Sequence, residues 1–183
     1  MHYPPIFTSL LLGSAASAFA FSGFPVSSTA NGTFLELTAI VTQDGDSAFE
    51  CWRLAAPFGT SSAAGTAGAS TLVINDLANA TYTVIPPRFE AGIHNAPHPQ
   101  LVVFLSGVAH VTLPYGTDEA YVVGGPDGTI IAVDATGTGH NTSYPSNMET
   151  RALQIAFTDG VIPPYEVLSS GPCNVTNQVV TVT

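Results

Sequence analysis

The chain has 183 residues, 45% of them hydrophobic, with thirteen acidic and only three basic side chains, so its formal net charge is −10. A surface of that sign repels the phosphates of nucleic acid and the headgroups of anionic lipid, which excludes both as partners. No lysine occurs anywhere, and this removes Schiff-base and pyridoxal phosphate chemistry, which need a lysine amine.

Residues 1–20 carry an apolar core followed by small residues ending Ala18-Phe19-Ala20. This is the pattern of a secretory signal peptide with an A-x-A cleavage site, although a positive n-region is missing. The apolar run falls short of the ~20 residues that a membrane-spanning helix needs. The expectation is therefore a leader over 1–20, one domain over 21–183, and a protein that is secreted or held in a secretory vesicle. Asn31, Asn79, Asn141 and Asn174 each begin an Asn-x-Ser/Thr sequon, which fits glycosylation on that route. Cys51 and Cys173 are the only cysteines, and an even count in an oxidising compartment predicts that they pair. A thiol nucleophile is the competing reading.

After the leader the chain reads as short β-rich runs broken by turn residues every ~8–12 positions, the pattern of an all-β domain. Strands are expected over 34–42, 48–54, 71–74, 82–85, 92–95, 100–105, 109–113, 120–123, 129–133, 151–157 and 179–182. No stretch beyond the leader has helical periodicity. The small-residue segment 59–70 reads as a loop within the domain, placed over the mouth of its barrel. Gly124-Gly125-Pro126-Asp127-Gly128 lies between two strands and reads as a hairpin turn rather than a phosphate cradle.

Four of the five histidines, His94, His98, His110 and His140, fall in the third of the chain between Gly92 and Asn141. The first stretch runs Gly92-Ile-His94-Asn-Ala96-Pro-His98-Pro-Gln100 and on to Phe104 and Gly107; the second is Asp134-Ala-Thr-Gly137-Thr-Gly139-His140. Strand alternation puts Gln100, Val102 and Phe104 on one face, opposite Leu101, Val103 and Leu105. An interior face of that kind, apolar with a polar rim, is the usual design of a small-molecule site, and a filled core is the alternative.

These two stretches resemble the paired motifs of the cupins. His94 stands at the first histidine of the cupin His-x-His pair, Gln100 at the glutamate, Gly107 at the following glycine and His140 at the last histidine. Ala96 occupies the second histidine position. The resemblance covers roughly residues 82–157 and implies a small antiparallel β-barrel of jelly-roll type, but only half of the cupin metal site. With Ala96 and Gln100 replacing two ligands, no cofactor is expected. A divalent transition metal is the alternative, held by His94 and His140 with His98, or else His110, as a third ligand.

In general build the chain is also similar to small secreted cupin-like proteins of filamentous fungi, among them the hetero-Diels–Alderases of tropolone-sesquiterpenoid biosynthesis. That likeness implies a cofactor-independent cyclase or pericyclase of secondary metabolism acting on a lipophilic small molecule. The likeness is one of build and places no residue; on the reading of this chain's own residues, His94 and His140 transfer a proton or polarise a substrate oxygen, Gln100 orients it, and Val102, Phe104 and His110 bind the substrate. A metal-dependent oxygenase and a non-catalytic binding module are the other two classes. A homodimer is compatible with all three.

Overall fold

The structure, a computed structural model, describes residues 31–174 and 176–183. The expected leader lies outside the described residues. The described residues form fourteen strands in order: β1 (Gly32–Gln43), β2 (Asp46–Leu54), β3 (Gly59–Thr60), β4 (Ser70–Thr71), β5 (Leu77–Ile85), β6 (Phe89–His94), β7 (Gln100–Ser106), β8 (Val108–Thr112), β9 (Glu119–Val123), β10 (Thr129–Ala132), β11 (His140–Tyr144), β12 (Thr150–Phe157), β13 (Tyr165–Ser170) and β14 (Val179–Val182). An all-β fold is what the turn spacing predicts.

An eight-stranded sheet runs β13-β2-β1-β10-β7-β12-β5, with β14 also paired to β1, and a four-stranded sheet runs β6-β11-β8-β9. The central eight strands pair in a nested way. β8 pairs with β9, β7 with β10, β6 with β11 and β5 with β12, every pair antiparallel. Because consecutive strands of one arm lie in alternate sheets, this double-layered hairpin folds across itself. The remaining strands extend the larger sheet: β1 joins β10 in parallel and turns back into β2.

Alternation along the large sheet supplies two cores. Ile40, Val102, Phe104, Ile130 and Ala132 point between the sheets and meet Ala109, Val111, Ala120 and Val122 of the smaller one. Leu37, Ala39, Leu101 and Ile131 point to the opposite face and pack around Trp52, Leu54 and Phe157. Trp52 is fully buried and stacks on Tyr165 with 3.5 Å between ring centroids. The disulfide Cys51–Cys173 joins β2 to the C-terminal tail with Cα atoms 4.5 Å apart, the pairing predicted from the cysteine count.

Three expectations about connections are corrected. The strand expected over 71–74 is confined to a two-residue pairing of Ser70–Thr71 with Gly59–Thr60, while Leu72 and Ile74 leave the ladder to pack on the second core. The apolar flanks of segment 59–70, Phe58 and Leu72, are anchored on this second core and not on the core between the sheets, where a cover for the barrel mouth would dock. The glycine-rich run 124–128 is no hairpin, because β9 and β10 belong to different sheets. It crosses between them in close contact with β7: the Gly125 amide donates to Phe104 O, the Phe104 amide donates to Gly128 O, and a Cβ on Gly128 would lie 2.5 Å from that same Phe104 oxygen. Glycine is required there by backbone approach, not by phosphate.

Candidate functional site

Asp134 follows β10, and the chain then turns through Gly137 and Gly139, both at positive φ, before His140 opens β11. That turn is clamped to the β1–β2 hairpin. Thr42 Oγ1 donates to Thr136 O, the Thr138 amide donates to Gly45 O, and the Ser47 amide donates to Thr138 Oγ1. A Cβ on Gly139 would lie 2.7 Å from His94 O, so the turn passes directly over the end of β6. Asn95 Nδ2 donates to Asp134 O from the same side.

Asp134 is fully buried, and its Oδ2 accepts from Ser47 Oγ at 2.9 Å and from His140 Nδ1 at 2.7 Å. Oδ1 is buried without a hydrogen-bond partner. The β6–β11 register sets His94 directly opposite His140, with ring centroids 4.5 Å apart. His94 Nδ1 lies 2.8 Å from Gly92 O. A carbonyl oxygen only accepts, so this nitrogen carries the hydrogen; the carboxylate fixes His140 Nδ1–H in the same way. Both rings therefore have their Nδ1–H in a hydrogen bond to the protein, and neither Nε2 has a protein partner among the described residues.

The sequence places these two histidines together correctly through the motif spacing, but it assigns Asp134 no role and Ser47 none. Asp134 carries a usable signal, an acid six residues before the motif histidine; Ser47 carries none, since only the β1–β2 pairing brings it near. Gln100 is buried at the start of β7 on the same side as Val102 and Phe104, and no hydrogen bond ties its side chain to either histidine.

The other expected site residues are placed elsewhere. Val102 and Phe104 face the interior as alternation requires, yet they are packed core, 7% and 3% exposed, rather than walls of an open pocket. His110 is on the outer face of the small sheet, because its neighbours Ala109 and Val111 take the inner one. There its Nε2 donates to Glu119 at 2.8 Å and its ring stacks on Tyr121, so it is no part of an interior substrate site. His98 is exposed between its two prolines. Among the described residues no three His, Cys, Asp or Glu side chains gather to hold a metal, so His94, His98 and His140 do not form the expected ligand set. Asn31, Asn79 and Asn174 are exposed, while Asn141 is half-buried beside Thr112. A cavity of about 330 Å³ lies away from His94 and His140, between β9, β10 and the tail, lined by Glu119, Tyr121, Asp127, Thr129, Cys173 and Gln178 among others. Among the described residues no helix is long and apolar enough to cross a membrane.

Comparison with protein-family models, curated proteins and solved structures finds no match. The functional reading of this chain rests on its own geometry.

Proposed function

We propose that the chain is a secreted enzyme of cupin-like jelly-roll fold that moves a proton on a lipophilic small molecule, a non-redox cyclase or lyase working without a cofactor. The observation that carries the reading is the pair of imidazoles, ring centroids 4.5 Å apart, whose Nδ1–H groups are both tied down, so that both Nε2 lone pairs are left without a protein partner among the described residues. The nested strand pairing supports the jelly-roll part, since a hairpin wrapped across two facing sheets is how that architecture is built. The disulfide supports an oxidising compartment.

In this mechanism His140 is the base. Its Nε2 takes a proton from the substrate, and the imidazolium that forms is stabilised by the buried Asp134 carboxylate, itself held by Ser47. His94, at the exposed end of β6, gives a proton back or polarises a substrate oxygen when protonated. Proton transfer fits the site better than a purely pericyclic reaction, which relies on a shaped apolar cavity to align its partners; Val102 and Phe104, the residues expected to line one, are core.

The test is proton exchange. In D₂O, lipophilic carbonyl compounds with an acidic C–H should gain deuterium in the presence of the protein, followed by NMR, and His140→Ala should slow this by ~10²-fold or more. No exchange with any compound, or wild-type exchange in both His94→Ala and His140→Ala, rejects the reading.

The same geometry favours a second reading. Histidines that bind metal almost always donate the other ring N–H to a carboxylate or a backbone carbonyl, and both arrangements are present. His94 and His140 Nε2 would then be two ligands of a divalent transition metal that supplies Lewis-acid or redox chemistry in an oxygenase. Titration with Cu²⁺ or Zn²⁺ distinguishes the two: saturable binding lost in His94→Ala, with activity removed by chelation, selects the metal.

A further inference from the structure

The open end of the large sheet carries a surface that the proposed chemistry does not use. β5 is the terminal strand of that sheet, nine residues long, and its sequence Leu-Ala-Asn-Ala-Thr-Tyr-Thr-Val-Ile contains no charge and no proline. One side pairs with β12; no strand among the described residues pairs with the other. Edge strands are normally blunted with charge, proline or a covering segment, because their free amides and carbonyls invite another chain. Within the strand there is no charge, no proline and no covering segment among the described residues; its Asn79 begins a sequon, so pairing through this edge is that of the strand without a glycan. Tyr82 and Val84 stand 55% and 49% exposed, sharing a sheet face with Leu153 and Arg151 across the ladder.

The flanks of this strand carry opposite charges. Asp76 precedes it and Arg88 follows it, both exposed. Of the three arginines, Arg53 pairs with Glu36 and Glu166 and Arg151 with Glu149, whereas Arg88 has no carboxylate partner among the described residues. In a chain of net charge −10, two copies repel over most of their surfaces, and a charge-free strip flanked by one acid and by Arg88, whose Nε donates to Asn147 but which has no carboxylate partner among the described residues, is where they approach at least cost.

We infer that β5 pairs with β5 of a second copy, antiparallel about a two-fold axis at Thr81, joining the two large sheets into one. A two-fold there sets Tyr82 against the small Ala80 of the second copy, and Val84 against Ala78, so large side chains meet small ones. It sets Asp76 opposite Pro86 of the second copy, two positions from its Arg88, and this happens twice by symmetry. The pairing satisfies the free edge amides, buries Tyr82 and Val84 and gives Arg88 its carboxylate.

Sedimentation of the full, enzymatically deglycosylated chain at micromolar concentration tests this. The expected mass is twice that of the monomer, falling to the monomer in Val84→Lys and in Thr81→Pro. Asp76→Arg and Arg88→Asp should each weaken the dimer at least tenfold, and the two together should restore it, a rescue that only antiparallel juxtaposition produces. Wild-type protein of monomer mass overturns the inference. So does a dimer whose stability is unchanged in all four single variants. A monomer whose β5 amides resist hydrogen exchange on their free side also overturns it, since another segment of the same chain then covers the edge.

Discussion

Asp134 has two accepting positions on Oδ2 in use and a buried Oδ1 without a partner. A carboxylate left partly unsatisfied costs stability, and such groups persist where they serve chemistry. Asp134→Asn offers an amide in place of the oxygen that both Ser47 and His140 address, so the imidazole loses its orientation. Turnover should fall roughly 10–100-fold, the usual effect of removing a partner that holds a functional histidine, and combining it with His140→Ala should add little further loss because the two act as a unit. Additive losses would show that Asp134 works independently of His140. Phe104 belongs to a different account. Buried to 3% in the inter-sheet core, its change to Ala should cost about 3–5 kcal/mol of stability, the range for a large aromatic truncated in a core. A denaturant midpoint shift at unchanged slope checks this, and a fully stable variant with altered products would return Phe104 to the substrate site. Gly107 sits at φ +83 with Thr150 directly against the space a Cβ would take. Gly107→Ala should therefore cost about 1–3 kcal/mol from backbone strain alone, read by the same measurement.

At the scale of elements, the strands legible in the sequence are those with apolar alternation. β7 shows this well: Gln100, Val102 and Phe104 point one way and Leu101 the other, as period two requires. β11 was illegible because its residues, His-Asn-Thr-Ser-Tyr, are turn formers and polar groups, and only pairing to β6 and β8 on both sides holds them extended. β13 is missed for a related reason, its apolar pair Val167-Leu168 being largely exposed on an outer strand. The histidine pair is readable from motif spacing, and the facing of His110 follows from its place between Ala109 and Val111 on β8, whereas the role of Ser47 depends on register between distant strands, which no local pattern encodes. The disulfide lies between both kinds of inference: its pairing follows from counting, its place on β2 only from the fold. Removing it with Cys51→Ser and Cys173→Ser should cost about 2–5 kcal/mol, measured by thermal melting, and leave the His94–His140 register intact, because β6 and β11 set that register and β2 reaches the site only through Ser47, at the other end of the strand from its Cys173-linked half. Loss of ligand or metal binding at the histidines in that variant would contradict this separation.

For the whole molecule, burial raises the Tyr144 phenol above its usual range, and burial followed by the Glu50 carboxylate raises Tyr165. Both are held neutral in the fold and released on unfolding, where a tyrosine ionises near pH 10. Their contribution to stability is thus complete below about pH 10 and lost as pH rises through the folded values. Denaturant midpoints should fall between pH 9 and pH 11 and fall less in Tyr165→Phe; an unchanged midpoint across that range contradicts the burial of both phenols. The nested pairing also dictates an order of events during synthesis. As the chain leaves the ribosome, β5, β6 and β7 emerge with no partner yet made, since theirs are β12, β11 and β10. Until β10 has been translated, only the local pairs β1–β2, β3–β4 and β8–β9 are available, and most of the polypeptide must wait with its apolar strands open. A fold of such long-range pairings is slow to complete, and the segment exposed longest is β5, the uncharged strand whose partner in the nest is translated last.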